Sequence, residues 1–380
     1  MQIELLSNAI DKHKYLKELG VDSGGIAIMT SKATYYTLYI RALHVGAANI
    51  LKQDALSVGA DLAVPRGTVL AKTPHVDCIL IATARQLQKL SMKELAQPFG
   101  LKEVAKKLKE ILKVKRPSKV EVMGIINAND DSFFSASRFN GTRAVEAIEQ
   151  MIDDGADIID IGAVSSAPNS CHVDKDEELS RVKPIFEAIK NAKLYNKIKF
   201  SIDSYEPEVI TCALKSGFEI VNDITGLSND SVSKICASNN TMAVIMHMQG
   251  TPQTMQNQPQ YENILSDIYS FFEQRVAKAE SLGVRNITLD VGIGFGKTLE
   301  HNLMLIKHLE HFLTLGKPLL VGASRKSMID KISASSPQER LGGTLALHLE
   351  AVRNGASIIR VHDVKEHVQA LKIQHALNVV

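Results

Sequence analysis

The chain has little net charge. Its 44 Lys and Arg stand against 42 Asp and Glu, a formal balance of +2 over 380 residues. That near-neutrality excludes a polybasic nucleic-acid binder or a ligand of anionic membranes as the default reading. Long apolar runs are missing too: none reaches the ~18 residues that a membrane span needs. The amino terminus, Met1-Gln2-Ile3-Glu4, has neither a basic flank nor a long apolar stretch, so no secretory signal is expected. Cysteine is scarce. Cys78, Cys171, Cys212 and Cys236 form no Cys-x-x-Cys pair, which excludes a zinc knuckle and a redox motif. A reducing cytoplasm is the expected compartment, with neither nucleic acid nor membrane as a partner.

What is present is length and ordinary globular composition. With 45% hydrophobic and 23% charged residues, the chain can bury a core without disulfides or metals. At ~100–200 residues per domain, two or three domains are expected. From residue 119 onward, short apolar strands alternate with helices. Strands are expected at 119–127, 157–161, 198–203, 219–222, 242–246, 286–290, 317–321 and 357–361. Helices are expected at 141–154, 176–192, 206–215, 229–238, 260–282, 299–312, 337–353 and 365–376. Glycine sits at three helix-to-strand turns, Gly155, Gly217 and Gly355. Such alternation implies a parallel sheet. Eight units fit a closed (β/α)8 TIM barrel, a fold of ~250 residues; a doubly wound open sheet is the runner-up. Residues 1–113 read instead as a small α+β domain of unassigned role, with strands near 26–29, 61–65 and 78–83 and helices near 33–56 and 101–113. Residues 114–118 are the linker, and 119–380 the barrel.

In a barrel of this kind the strand C-termini and the loops after them carry the site. Read in order, those ends deliver Asn127, Ser165-Ser166 beyond Asp160, Asp203, Asn222, His247, Asp290, Arg325-Lys326, and Arg360 with His362. A ring of polar ends points to a polar ligand. Asp203, Asn222 and Asp290 supply acceptors, which suit a flat heterocycle with adjacent N–H donors. The bland reading of either aspartate is a helix cap. Arg360 and His362 flank Val361, so period-two spacing puts them on one face. An arginine fork beside a histidine suits a phosphate or diphosphate; the bland reading is a buried ion pair, for instance with Asp363. Two motifs fail. Gly292-Ile-Gly294-Phe-Gly296-Lys297-Thr298 has Val291 where a phosphate-binding loop of the Walker kind needs glycine, and Lys297 where a dinucleotide fingerprint does. Its glycines are read as a tight or mobile loop over the site. His247 lacks a second histidine at ligand spacing, so it is read as packed or beside a ligand rather than on a metal. Ser324 has no evident His or Asp partner in the sequence, which disfavours nucleophilic serine chemistry.

Several segments together closely resemble the dihydropteroate synthase family. They are Met246-His-Met-Gln-Gly-Thr-Pro-Gln-Thr-Met-Gln256, Leu289-Asp-Val-Gly-Ile-Gly-Phe-Gly-Lys-Thr-Leu-Glu-His-Asn302, Leu320-Val-Gly-Ala-Ser-Arg-Lys-Ser327, Glu339-Arg-Leu-Gly-Gly-Thr344 and Arg360-Val-His-Asp-Val-Lys365, with the shorter Ser201-Ile-Asp-Ser204 and Val221-Asn-Asp-Ile224. The resemblance runs from about residue 118 to the end and leaves 1–117 uncovered. It implies the barrel fold and a cytoplasmic transferase of folate biosynthesis, a target of sulfonamides. The implied reaction condenses 6-hydroxymethyl-7,8-dihydropterin diphosphate with 4-aminobenzoate. The implied cofactor is Mg2+ and the implied assembly a homodimer. By matching positions, Asp203, Asn222, Asp290 and Lys326 would hold the pterin, with Met246 and Phe295 lining its pocket. Asn127, Ser166, Arg360 and His362 would take the diphosphate, and Asn127 would help coordinate Mg2+. Ser324 and Lys326 would sit near 4-aminobenzoate. Asp203, Asp290, Lys326 and Arg360 would carry the catalysis.

Two loops depart from the family pattern. Asn127-Ala-Asn129-Asp130-Asp131-Ser132-Phe133 stands where the family commonly has Asn-Val-Thr-Pro-Asp-Ser-Phe. Val164-Ser165-Ser166-Ala167-Pro168-Asn169 stands for Glu-Ser-Thr-Arg-Pro-Gly. A weaker closure over the diphosphate is expected from the missing arginine. Two other readings compete: a pterin-barrel methyltransferase using methyltetrahydrofolate, and a pterin-binding protein without catalysis.

Overall fold

In the computed structural model, residues 3–4, 6–7, 10–128, 141–164 and 173–379 are described, and the side chains of 141 and 142 are left aside. The backbone divides into two compact units, Met1–Lys115 with His375–Val380, and Arg116–Gln374. The last six residues thus cluster with the first unit.

The first unit holds helices α1 (Lys12–Glu18) and α2 (Ser23–Ala33), strand β1 (Tyr35–His44), helix α3 (Val45–Val58), strands β2 (Asp61–Ala63) and β3 (His75–Thr83), and helices α4 (Ala84–Lys93) and α5 (Leu101–Lys113). Its sheet runs β1-β3-β2 and is antiparallel. Two expectations fail here. The strand expected near 26–29 is helical: Asp22 caps α2, its carboxylate accepting from the Gly25 N–H at 2.8 Å. The helix expected over 33–56 is β1 followed by α3. Tyr36, Leu38 and Ile40 of β1 alternate onto the core around Leu51, Leu80, Leu87 and Leu101, a period of two that only a strand can satisfy.

The second unit is the expected barrel. Its strands are β4 (Glu121–Asn127), β5 (Ile158–Gly162), β6 (Lys199–Asp203), β7 (Ile220–Asp223), β8 (Met242–Met246), β9 (Asn286–Asp290), β10 (Leu319–Val321) and β11 (Ile358–Val361). All neighbours are parallel, and β11 returns to β4 to close the ring. The helices are α6 (Gly141–Asp153), α7 (Lys175–Asn191), α8 (Pro207–Lys215), α9 (Asp230–Asn239), α10 (Ile264–Ser281), α11 (Leu299–Lys307), α12 (Ser327–Ile332), α13 (Leu341–Arg353) and α14 (Val364–Val379). The short α12 is an element the sequence reading omits. The helix expected over 299–312 ends at Lys307 and continues as a tighter 3-10 turn, Leu309–Leu315.

The barrel has an apolar floor and a polar rim. Met123, Ile158, Ile220, Val244, Leu320 and Ile358, from six strands, form one buried cluster. Three of them open their strands. At the opposite ends the same ring offers Asn127, Asp203, Asn222, Asp290 and Arg360. Side chains filling the interior leave the C-terminal mouth as the place where polar groups can meet a ligand. Among the described residues no helix is long and apolar enough to cross a membrane.

Candidate active site

The centre of the mouth is an ionic fork. Arg360, on β11, donates through Nε to Asp160 Oδ2 at 2.6 Å and through Nη2 to Asp203 Oδ2 at 2.8 Å. Asn222, at the end of β7, donates to the same Asp160 oxygen at 3.2 Å. Asp160 is fully buried in an otherwise apolar strand, Ile158-Ile-Asp-Ile-Gly162, and its Oδ1 has no partner among the described residues. Buried carboxylates need such pairing, because an unpaired charge there would cost several kcal/mol. Asp203 shares its arginine with Asp160. Burial, only partly opposed by Arg360 and reinforced by Asp160, pushes its carboxyl up to about 7. Burial also raises Asp290, against the Gly292 N–H that donates to its Oδ1 at 2.8 Å.

Lys326 stands over the Phe295 ring, its Nζ 4.3 Å from the centroid, a cation–π contact. Burial, with Arg360 adding repulsion, brings its ammonium down to about 8. Phe295 belongs to a small apolar cluster with Met246, Met255 and Ile224, edged by Tyr205 and Met248. One wall of the mouth is therefore aromatic and thioether-rich, and the other is charged. That combination suits a flat, nitrogen-bearing ring.

The wall is stitched together by a residue whose sequence context marks it only as a failed motif. Lys297 is 2% exposed. Its Nζ reaches Phe295 O at 2.8 Å, His247 Nδ1 at 3.0 Å and His247 O at 3.1 Å. All three partners are neutral, and burial brings the ammonium down to about 7. The loop after β8 is thus tied to the loop after β9. The approach is so close that Gly292, at φ +65°, and Gly296, at φ +62°, cannot carry a side chain: a Cβ would stand 2.0 Å and 2.6 Å from the carbonyl oxygens of His247 and Gln249. The glycine-rich stretch is a tight loop. His247 is buried, edge-on to Phe271, as its packed reading expected.

At the seam of β10 and β11 lies a contact that the sequence reading did not find. Ser324 does have a histidine partner, His362, with Oγ to Nδ1 at 2.9 Å, while the His362 backbone N–H donates to the same Oγ at 3.3 Å. The two are 38 positions apart in sequence but sit at the ends of adjacent parallel strands. Asp363, the partner that the bland reading offered Arg360, instead takes Arg325, whose Nε donates at 3.1 Å. Arg360 is paired, but with Asp160 and Asp203. Neither Asp203 nor Asp290 caps a helix: α8 has no side-chain cap, and Asp290 bonds within its own turn. Asn127 ends β4 half-buried, opposite Gly162 of β5. Ser166 lies outside the described residues, as do Ser165 and both departures from the family pattern between 129 and 140 and between 165 and 169.

Comparison with known proteins agrees with this geometry. The family described as pterin binding enzyme matches residues 123–362. The bifunctional dihydropteroate synthase/dihydropteroate reductase of Helicobacter pylori is 42% identical over 362 residues, 95% of each chain. This chain belongs to the pterin-binding enzyme family. Dihydropteroate synthase of Escherichia coli is 42% identical over 258 residues, 67% of this chain and 90% of that one. The crystal structure of Yersinia pestis dihydropteroate synthase with a sulfonamide drug superposes with a TM-score of 0.66 at 37% identity, over 69% of this chain and 96% of that one. That of the Thermus thermophilus enzyme with 4-aminobenzoate gives 0.62 at 37% identity, over 68% and 95%. Within the family the activity is that of a dihydropteroate synthase, a transferase. The sequence reading of the family holds. It omits Asp160 and Lys297 as members of the site. The one available signal for Asp160 was a lone carboxylate inside a fully apolar strand.

Proposed function

We propose that the barrel joins 6-hydroxymethyl-7,8-dihydropterin diphosphate to 4-aminobenzoate, releasing 7,8-dihydropteroate and diphosphate. The observation that carries this reading is the fork of Arg360 on Asp160 and Asp203 beside the wall of Phe295, Met246 and Lys326. Asp203, Asn222 and Asp290 take the ring's N–H donors, and Lys326 its carbonyl oxygen. Met246 and Phe295 cover its faces. Arg360 and His362 meet the diphosphate with Asn127 and Ser166, and Ser324 and Lys326 orient 4-aminobenzoate.

Little proton transfer is needed. As the C–O bond to the diphosphate breaks, the electron-rich bicycle delocalises the positive charge on its methylene, and the carboxylates of Asp203 and Asp290 favour that cation. Arg360 stabilises the charge that develops on the departing diphosphate. The aromatic amine then attacks the methylene and releases a proton.

The residues fit magnesium. A magnesium ion keeps several waters and takes phosphate oxygens, so it needs only one or two from the protein, and the side-chain oxygen of Asn127 suits that demand. When bound, the ion would neutralise charge on the leaving diphosphate. The test is dihydropteroate formation from the two substrates, with and without a chelator. Methyl transfer from methyltetrahydrofolate, or pterin binding without turnover when Mg2+ is supplied, sinks the proposal. We also infer a homodimer and inhibition by sulfonamides as 4-aminobenzoate analogues, checked by light scattering and by competition kinetics.

A second reading concerns the first unit. The Helicobacter pylori relative, matched over 95% of this chain, is also named a dihydropteroate reductase, whereas the Escherichia coli match leaves about a third of the chain uncovered. That supports a reduction of dihydropteroate by this chain, with the first unit needed for it. Incubating the protein with dihydropteroate and a hydride donor, with and without residues 1–115, tests it. Equal reduction by both rules the unit out.

A further inference from the structure

Behind Ser324 and His362 run two buried histidines that the reaction above does not use. His348 lies on α13 and His367 on α14, each 1% exposed. The Ala323 backbone N–H donates to His348 Nε2 at 2.9 Å. His348 Nδ1 faces His367 Nε2 at 2.9 Å, and His367 Nδ1 faces the Asp363 carbonyl oxygen at 2.5 Å. Both ends of this chain have a fixed sense. A backbone N–H only donates, and a carbonyl only accepts. His348 must therefore keep its lone pair on Nε2 and its proton on Nδ1. That proton goes to His367 Nε2, which leaves the second proton on His367 Nδ1, pointing at Asp363. One pair of tautomers satisfies all three bonds. Adding a proton to either ring places two N–H groups against each other. Burial lowers the basicity of both rings, so the neutral pair persists.

The two ends of the chain are the sites that matter. Ala323 immediately precedes Ser324, and Asp363 immediately follows His362. Asp363 also holds Arg325. We propose that His348 and His367 are positioning residues for the transfer reaction: a one-way hydrogen-bonded brace that sets the spacing between the loops after β10 and β11, and so the register of Ser324 against His362. The brace touches no substrate. It acts first on Ser324 and His362, at the diphosphate and 4-aminobenzoate end, whereas the pterin acceptors Asp203, Asn222 and Asp290 lie on other strands. The inference deepens the proposed synthase reading and rests on it for its kinetic consequence, but not for its chemistry.

Two measurements test it. Long-range 15N–1H spectra of the 15N-histidine-labelled whole protein should show His348 and His367 both protonated on Nδ1, the tautomer less favoured in free histidine. An Nε2–H signal from either ring overturns the brace, whatever the enzyme does. In kinetics, His348→Leu leaves a buried N–H unpaired and should raise KM for 4-aminobenzoate and for the pterin diphosphate about tenfold or more. The Kd of 6-hydroxymethyl-7,8-dihydropterin, which lacks the diphosphate, should stay within about twofold of the native value. His348→Gln, whose amide can accept from Ala323 and donate to His367, should recover most of the loss. Unchanged KM values in His348→Leu, or no recovery by Gln in a folded protein, refute the positioning role. If the native protein forms no dihydropteroate yet shows both Nδ1–H signals, the synthase reading fails and the brace stands.

Discussion

Replacing Asp160 by asparagine probes the fork most directly. The two side chains have nearly the same shape, and asparagine can keep an oxygen where Oδ2 now accepts from Arg360 at 2.6 Å and Asn222 at 3.2 Å. Its amide nitrogen would take the place of Oδ1, which has no partner to lose among the described residues. The contacts can therefore survive while the charge does not. Of the two carboxylates in the fork Arg360 would keep only Asp203, an ion pair would become a weaker bond from a cation to a neutral amide, and the guanidinium would lose its fixed aim at the diphosphate. A hydrogen bond to a charged group contributes about 1.5–3 kcal/mol. Losing it from the transition state corresponds to a fall of roughly 10- to 150-fold in kcat/KM for the pterin diphosphate. The assay is steady-state dihydropteroate formation at saturating 4-aminobenzoate, with a thermal melt to confirm the fold. A folded variant whose kcat/KM stays within about threefold of the native value would refute the claim that this buried carboxylate aims Arg360.

Three further outcomes follow from the same geometry. Lys297→Met leaves two buried carbonyls, of Phe295 and His247, without their donor; a cost of about 1–3 kcal/mol each should show as a lower Tm and weaker pterin binding, and an unchanged melt contradicts the staple. Lys297 also sets a pH dependence. Its folded pKa, about 7, lies below the ~10.4 of an unfolded lysine, so between those values the unfolded chain binds more protons and stability rises with pH. The native melt should therefore gain more between pH 7 and 9 than that of Lys297→Met, and parallel curves would refute the shift. Ser324→Ala removes the hydroxyl on His362 and should raise KM for 4-aminobenzoate by about 3- to 10-fold, the weight of one neutral hydrogen bond, with pterin affinity kept; an unaltered KM removes Ser324 from that subsite.

The barrel was readable because its strands are short, mostly apolar runs that alternate with helices, and because glycine marks three of the helix-to-strand turns. The first unit was harder. Tyr35–His44 runs without a break into the alanine-rich α3, so two opposite periodicities merge into one apparent helix, and only the alternation of Tyr36, Leu38 and Ile40 separates them. Ile26-Ala-Ile-Met29 is too short to tell a strand from a helix by pattern, and the Asp22 cap decides it. In the site, the strand-end rule found the acceptors and the cations but not who holds whom. The Arg360–Asp160 pair spans 200 positions, and the Ser324–His362 pair is adjacent only through sheet neighbours. Such pairings come from closure of the ring, which no local window contains.

That closure has a consequence for how the protein is made. The strand bearing Arg360 is the last of the eight to leave the ribosome, and it must insert beside the first, β4. Until it does, Asp160 and Asp203 share a cavity with no cation between them, and β4 offers an unpaired edge. A nascent chain halted between β6 and Arg360 therefore holds mutually repelling carboxylates at one end and an open sheet margin along one side. Arrested synthesis should leave a species prone to sticking to its neighbours. The guanidinium that bridges Asp160 and Asp203 is also the clasp that ends this vulnerable interval.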